Sequence, residues 1–202
     1  MTSRRLISAL IALGLATGMV ALGGCDNHDG NEWQRLVCEV AAINDGTPLV
    51  SAYLNVGNDG MAGTDDDFLP IDFATVTFFA RPYNSMVYLP DDGPYSWFHV
   101  TNYDLIWHPG PGAPAALTDY NVSGGMCDVI VPVGQEASVS ILVADRGMKE
   151  ESWYRDILYV GEGAYTATCE LRFRGHETGS DTIVELGGGF TVTFFGQVSS
   201  RN

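Results

Sequence analysis

Tyr165-Thr166-Ala167-Thr168-Cys169-Glu170-Leu171-Arg172-Phe173-Arg174 decides the fold class. Tyr165, Ala167, Cys169, Leu171 and Phe173 alternate with polar or charged residues. A strand throws successive side chains to opposite faces, so this order makes one apolar face and one wet face. A helix would scatter the same residues around its circumference. Residues 73–80 (Phe-Ala-Thr-Val-Thr-Phe-Phe-Ala) give the second strong signal, because β-branched and aromatic side chains suit a pleated surface.

The same grammar extends in both directions. Residues 36–43 read as a first strand, Asn44-Asp45-Gly46 as a turn, and residues 48–56 as an irregular second strand. Residues 98–107 predict another strand, closed by His108-Pro109-Gly110-Pro111-Gly112, a run that no helix survives. Further strands are expected at 127–133 and 137–144, and one helical turn around 149–154. Residues 174–182 read as a hairpin loop with Gly179 near its tip. Residues 183–186 and 190–195 complete the set, with Gly187-Gly188-Gly189 between them as a bulge or bend. Seven to nine short strands with almost no amphipathic helix predict an all-β, antiparallel two-sheet sandwich. The Val-Thr-Phe strand, the Thr-x-Tyr strand and the final Phe-Thr-Val-Thr-Phe resemble those of single immunoglobulin-like or fibronectin-like domains in bacterial lipoproteins. That resemblance implies an immunoglobulin-like sandwich and brings no activity with it.

Composition bounds the function. Of the residues, 46% are hydrophobic and 11% aromatic, which suits a packed core rather than a disordered chain. The formal net charge is −15, and Arg4 and Arg5 are two of only ten Lys and Arg residues. A phosphate backbone would be repelled by such a field, so nucleic acid is excluded as a partner.

The first residues read as an export signal. Met1 to Arg5 form a basic start, and an uncharged apolar run of 17 residues, 6–22, follows. At 1.5 Å per residue that run spans about 26 Å of the roughly 30 Å hydrocarbon core, so an uncleaved anchor is the alternative. Leu22-Gly23-Gly24-Cys25 resembles the lipobox of bacterial lipoproteins: a Leu, two small residues and a Cys. The resemblance implies that the Cys25 thiol receives a diacylglycerol, that cleavage falls before it, and that the new amine is acylated. Each buried CH₂ contributes about 0.8 kcal/mol, so two or three chains hold a protein where one does not. The expected division is a signal peptide over 1–24, a lipidated tether over 25–34 and a β domain over 35–202, with the membrane engaged through the lipid. Ser3-Arg4-Arg5 lacks the aromatic and lysine of a twin-arginine signal. Asp26 favours inner-membrane retention in enteric bacteria, a rule that does not carry to every lineage, and the choice of membrane stays open.

Beyond the inner membrane Cys38, Cys127 and Cys169 are free to oxidise. Three pairings are open to them; Cys38 with Cys169 joins two core-facing positions, and three small buried thiols are the alternative. No C-x-x-C exists to support thiol-redox catalysis.

The remaining candidates are few. Asn58-Asp59-Gly60-Met61-Ala62-Gly63-Thr64-Asp65-Asp66-Asp67 crowds carboxylates on a glycine-bent loop. Ca²⁺ takes six to eight oxygens, which makes Asp59, Asp65, Asp66 and Asp67 candidate ligands, against a plain solvated turn; the spacing is not that of an EF-hand. Tyr95, Trp97, Trp107, Trp153 and Tyr154 lie near expected loops and would stack on a glycan or grip a protein, or else pack the core. His28, His99, His108 and His176 have no zinc spacing, and no Gly-x-Ser-x-Gly elbow appears. The expectation is a non-enzymatic binding or structural domain of the cell envelope, with an envelope protein as partner; a carbohydrate-binding module is the alternative.

Overall fold

The computed structural model describes residues 35–84, 97–156 and 165–198. Eight strands follow in order: β1 (Leu36–Ile43), β2 (Leu49–Asn55), β3 (Asp72–Pro82), β4 (Trp97–Pro109), β5 (Val122–Pro132), β6 (Glu136–Ala144), β7 (Tyr165–Glu177) and β8 (Val184–Val198). Two short helical turns, α1 (Arg146–Glu150) and α2 (Ser152–Arg155), stand between β6 and β7, where the sequence predicts its one helical turn. Asp145 starts α1 by accepting the Met148 amide at 2.7 Å. Among the described residues no helix is long and apolar enough to cross a membrane.

The strands form a three-stranded sheet, β1-β3-β6, and a five-stranded sheet, β2-β8-β7-β4-β5, which curls. The alternation that predicts β7 is realised: Ala167, Cys169, Leu171 and Phe173 are buried, and Thr166, Thr168 and Arg172 are exposed. Phe78 of β3 meets Phe173 of β7 edge to face, with ring centroids 4.9 Å apart, so both sheets contribute to one core. At one end Trp107, Tyr154 and Tyr165 surround Phe194 at 4.9–5.9 Å. Full burial of an aromatic such as Phe78, Phe173 or Phe194 contributes about 1.5–3 kcal/mol.

Two expectations change. The sheets are not wholly antiparallel, because β2 runs parallel to β8, with Leu49 opposite Val192 and Asn55 opposite Val198. The cause is the turn after β1. Asn44, Asp45 and Gly46 all adopt positive φ (49°, 52° and 77°), a conformation open to Asn, Asp and Gly. That turn takes the chain off the first sheet, and the next strand joins the edge of the second beside β8. The glycine run 187–189 does not divide two strands either. It lies inside β8, opposite Arg172, Leu171 and Glu170. A Cβ on Gly188 would stand 3.0 Å from Ile43 Cδ1 and 3.3 Å from Val40 Cγ1, so the glycine admits the close passage of β1.

Candidate functional site

The most constructed polar site lies beneath α1. Ser51 on β2, Lys149 on α1 and Tyr154 on α2 are fully buried, and Asp72 at the start of β3 is nearly so. Lys149 Nζ stands 2.7 Å from Asp72 Oδ2 and donates to the Ala52 carbonyl at 2.7 Å. The Ser51 hydroxyl donates to the same Asp72 Oδ2, and Ser51 Oγ and Tyr154 Oη lie 2.5 Å apart. Burial holds the Lys149 ammonium below its ordinary pKa, against the opposing pull of Asp72. Burial also pushes the Tyr154 phenol far up, so it serves here as a neutral hydroxyl. The sequence reading places Lys149 in a helical turn and gives it no role. The signal that marks it is its rarity: it is the single lysine of the chain.

A second polar surface covers the outside of the five-stranded sheet, where alternation puts every second side chain in water. Arg174 bridges Asp104 and Glu185, and Asp104 also accepts the Gly124 amide at 2.8 Å. That amide, and then the guanidinium, hold the Asp104 carboxyl below its usual range. Glu170 accepts Arg172 at 2.6 Å and pairs with His108 at 2.9 Å, and these partners lower its pKa too. His99 pairs with Asp128 at 2.7 Å, its ring 5.5 Å from that of His176. His99, His108 and His176 therefore share this face. Most of these pairs are water-exposed and contribute about 0–1 kcal/mol each to stability.

The pocket between β1 and β8 has another chemistry. It holds about 370 Å³ and is lined by Val40, Ile43, Pro48, Phe190 and glycine backbone, with the Thr47 and Thr191 hydroxyls as its polar side-chain groups.

The residues singled out in the sequence fare differently. Cys25 and Tyr95 lie outside the described residues. The acidic loop uses its carboxylates on itself. Asp59 accepts the Met61 amide, Asp66 accepts Asn58 N–H and the Thr64 hydroxyl, and Asp67 Oδ2 accepts the Gly63 and Thr64 amides. The Thr64 and Asn58 bonds hold the Asp66 carboxyl low. Among the described residues no group of three or more His, Cys, Asp or Glu side chains is placed to hold a metal ion. The loop's amide bonds do the bending that a cation would otherwise organise.

Cys38 and Cys169 are not joined. Cys38, Cys127 and Cys169 are all free and buried, with Cys38 in the three-stranded sheet opposite Ala80 and Cys169 in the five-stranded sheet between Trp107 and Phe190. Burial pushes the Cys38 and Cys169 thiols up to about 12, so both persist as apolar S–H groups. The aromatic set is drawn inward: Trp107 and Tyr154 are core residues, Trp153 packs against the core, and Trp97 is half-buried. β4 extends to Pro109, two residues past its expected end at Trp107, and Trp107 faces the core.

No family model matches the chain, and no curated protein matches it.

Proposed function

We propose that the chain is a lipid-anchored, non-enzymatic domain of the bacterial cell envelope that binds an envelope protein through the outer face of its five-stranded sheet. The basic start, the apolar run and Leu22-Gly23-Gly24-Cys25 support the anchor, with Cys25 as the lipidated residue and residues 26–34 as the tether.

We read the strand order as immunoglobulin-like. In that reading β1, β3 and β6 stand for strands A, B and E, and β4, β7 and β8 for C, F and G. A buried Trp107 on β4 beside Cys169 on β7 supports the match, since immunoglobulin domains place a tryptophan of strand C against a cysteine of strand F. The partner cysteine of strand B is absent from β3, whose inward residues are Ala74, Val76, Phe78 and Ala80.

The observation that carries the binding reading is the face itself. In a chain of net charge −15, Arg172, Arg174, His99, His108 and His176 gather there in rows with Asp104, Asp128, Glu170 and Glu185. Such alternating rows fit a protein surface with the converse order and give register more than raw affinity. The glycan alternative loses Trp107 and Tyr154 to the core.

The test is co-purification from the native membrane with Arg172→Glu/Arg174→Glu beside the parent. The parent retains a stoichiometric protein partner. The variant loses it while its near-ultraviolet circular dichroism shows a folded domain. Equal retention by both proteins, or retention only by a glycan resin, overturns the reading.

A further inference from the structure

Every Lys or Arg of this chain except one is an arginine, and the exception is fully buried. Lys149 is the single lysine among ten Lys and Arg residues, and its side chain has no exposed surface. A plain buried ion pair favours arginine, whose fork binds a carboxylate in two places and never loses its proton. Lysine differs in the one respect that burial exploits: its amine can become neutral and therefore nucleophilic. The site aims that amine. Nζ stands 2.7 Å from Asp72 Oδ2, and the Ala52 carbonyl fixes it from another side at 2.7 Å.

We propose that Lys149 and Asp72 condense into an intramolecular amide that ties α1 to β3. The ammonium–carboxylate pair and the amine–carboxylic acid pair contain the same protons, and the second is the reacting form. The Nζ lone pair attacks Asp72 Cγ. The Cγ–Nζ bond forms, the Cγ–Oδ2 bond breaks, and Oδ2 leaves as water with its own proton and one from the nitrogen. No electron is exchanged and no co-reactant is needed. Ser51, which donates to Oδ2 and is bonded to the Tyr154 hydroxyl, is placed to pass a proton to the leaving oxygen.

Two physical effects favour the amide. Groups held in contact react as if at effective concentrations of about 10⁵–10⁸ M. The absence of bulk water around a fully buried amine also disfavours the reverse hydrolysis. The inference stands on the buried cluster alone and does not depend on the proposed partner or on the anchor.

The experiment uses the full chain purified from whole cells, whichever fraction holds it. The protein is denatured, treated with an amine-acylating reagent, digested with chymotrypsin and analysed by tandem mass spectrometry. The expected product is the Asp72 peptide joined to the Lys149 peptide and one water lighter than their sum, with Lys149 unacylated. In Lys149→Arg the joined species disappears. Separate Asp72 and Lys149 peptides, with Lys149 fully acylated, overturn the proposal. A water loss confined to Asp45-Gly46 or Asp59-Gly60 also overturns it, because a succinimide there leaves Lys149 open to the reagent. A joined species that persists in Lys149→Arg does the same.

Discussion

Glu177 holds the backbone at the start of β1, and its removal has a calculable cost. It ends β7 and is 4% exposed. Its Oε1 accepts both the Arg35 and the Leu36 amides at 2.6 Å, and Oε2 meets Arg35 Nε at 3.3 Å. Glu177→Ala removes all three partners. The Leu36 amide belongs to a residue with no exposed surface, and an unpaired buried donor costs about 1–3 kcal/mol. The half-exposed Arg35 pair adds about 0–1 kcal/mol. A total near 3 kcal/mol corresponds, at roughly 2–4 °C per kcal/mol for a domain of this size, to a fall of about 6–12 °C in melting temperature. Glu177→Gln keeps a carbonyl acceptor but loses the charge, and its cost is about 1 kcal/mol. Thermal unfolding followed by near-ultraviolet circular dichroism measures the difference. Amide hydrogen exchange at Leu36 and Val37 adds a local readout, because β1 is an edge strand and frays when its first amides lose their acceptor. An alanine variant within about 0.5 kcal/mol of the parent, a value typical of neutral surface changes, refutes the reasoning. So does a large loss without faster exchange in β1.

The other predictions follow from single contacts. Gly188→Val, which forces branched atoms against Val40 and Ile43, destabilises the domain by about 1–3 kcal/mol; a neutral effect in urea unfolding shows that β1 does not pass so close. Asp104 has a folded pKa below its unfolded value, so its contribution is present above about pH 4 and is lost as pH falls through the lower, folded value. Asp104→Asn therefore shows a shallower acid loss of melting temperature than the parent below pH 4, and identical acid limbs contradict the assignment. Millimolar Ca²⁺ leaves the melting temperature unchanged, because the carboxylates of Asp59, Asp66 and Asp67 are engaged by their own loop; a rise with Ca²⁺ concentration reinstates a cation site.

Local patterns were legible and non-local ones were not. β1 begins and ends where Leu36, Cys38 and Ile43 put their side chains inward, and β7 begins where the Tyr165 alternation begins. The Gly187–Gly189 run was ambiguous because a glycine marks either a bend or a close approach, and only the passage of Ile43 over Gly188 decides between them. The parallel pairing of β2 with β8 depends on residues far apart in the chain, which no local window contains. Trp107 closes an expected strand and Tyr154 an expected helical turn, and the local pattern at such ends does not say whether an aromatic turns inward or out; β4 runs two residues further and both rings lie in the core. The buried quartet was hidden for the same reason as the parallel strand. Ser51, Asp72, Lys149 and Tyr154 come from four elements and share no motif, and only the lone lysine stood out in the composition.

The central claim is that hydrocarbon on one sulfur holds this water-facing β domain at the envelope. Mass spectrometry of the N-terminal peptide from protein extracted from its native membrane tests it most directly. The account predicts a chain that begins at Cys25 and bears a thioether-linked diacylglycerol, and a Cys25→Ala variant that accumulates uncleaved precursor. A mature chain that begins at Met1, or that retains an unmodified thiol at position 25, contradicts it.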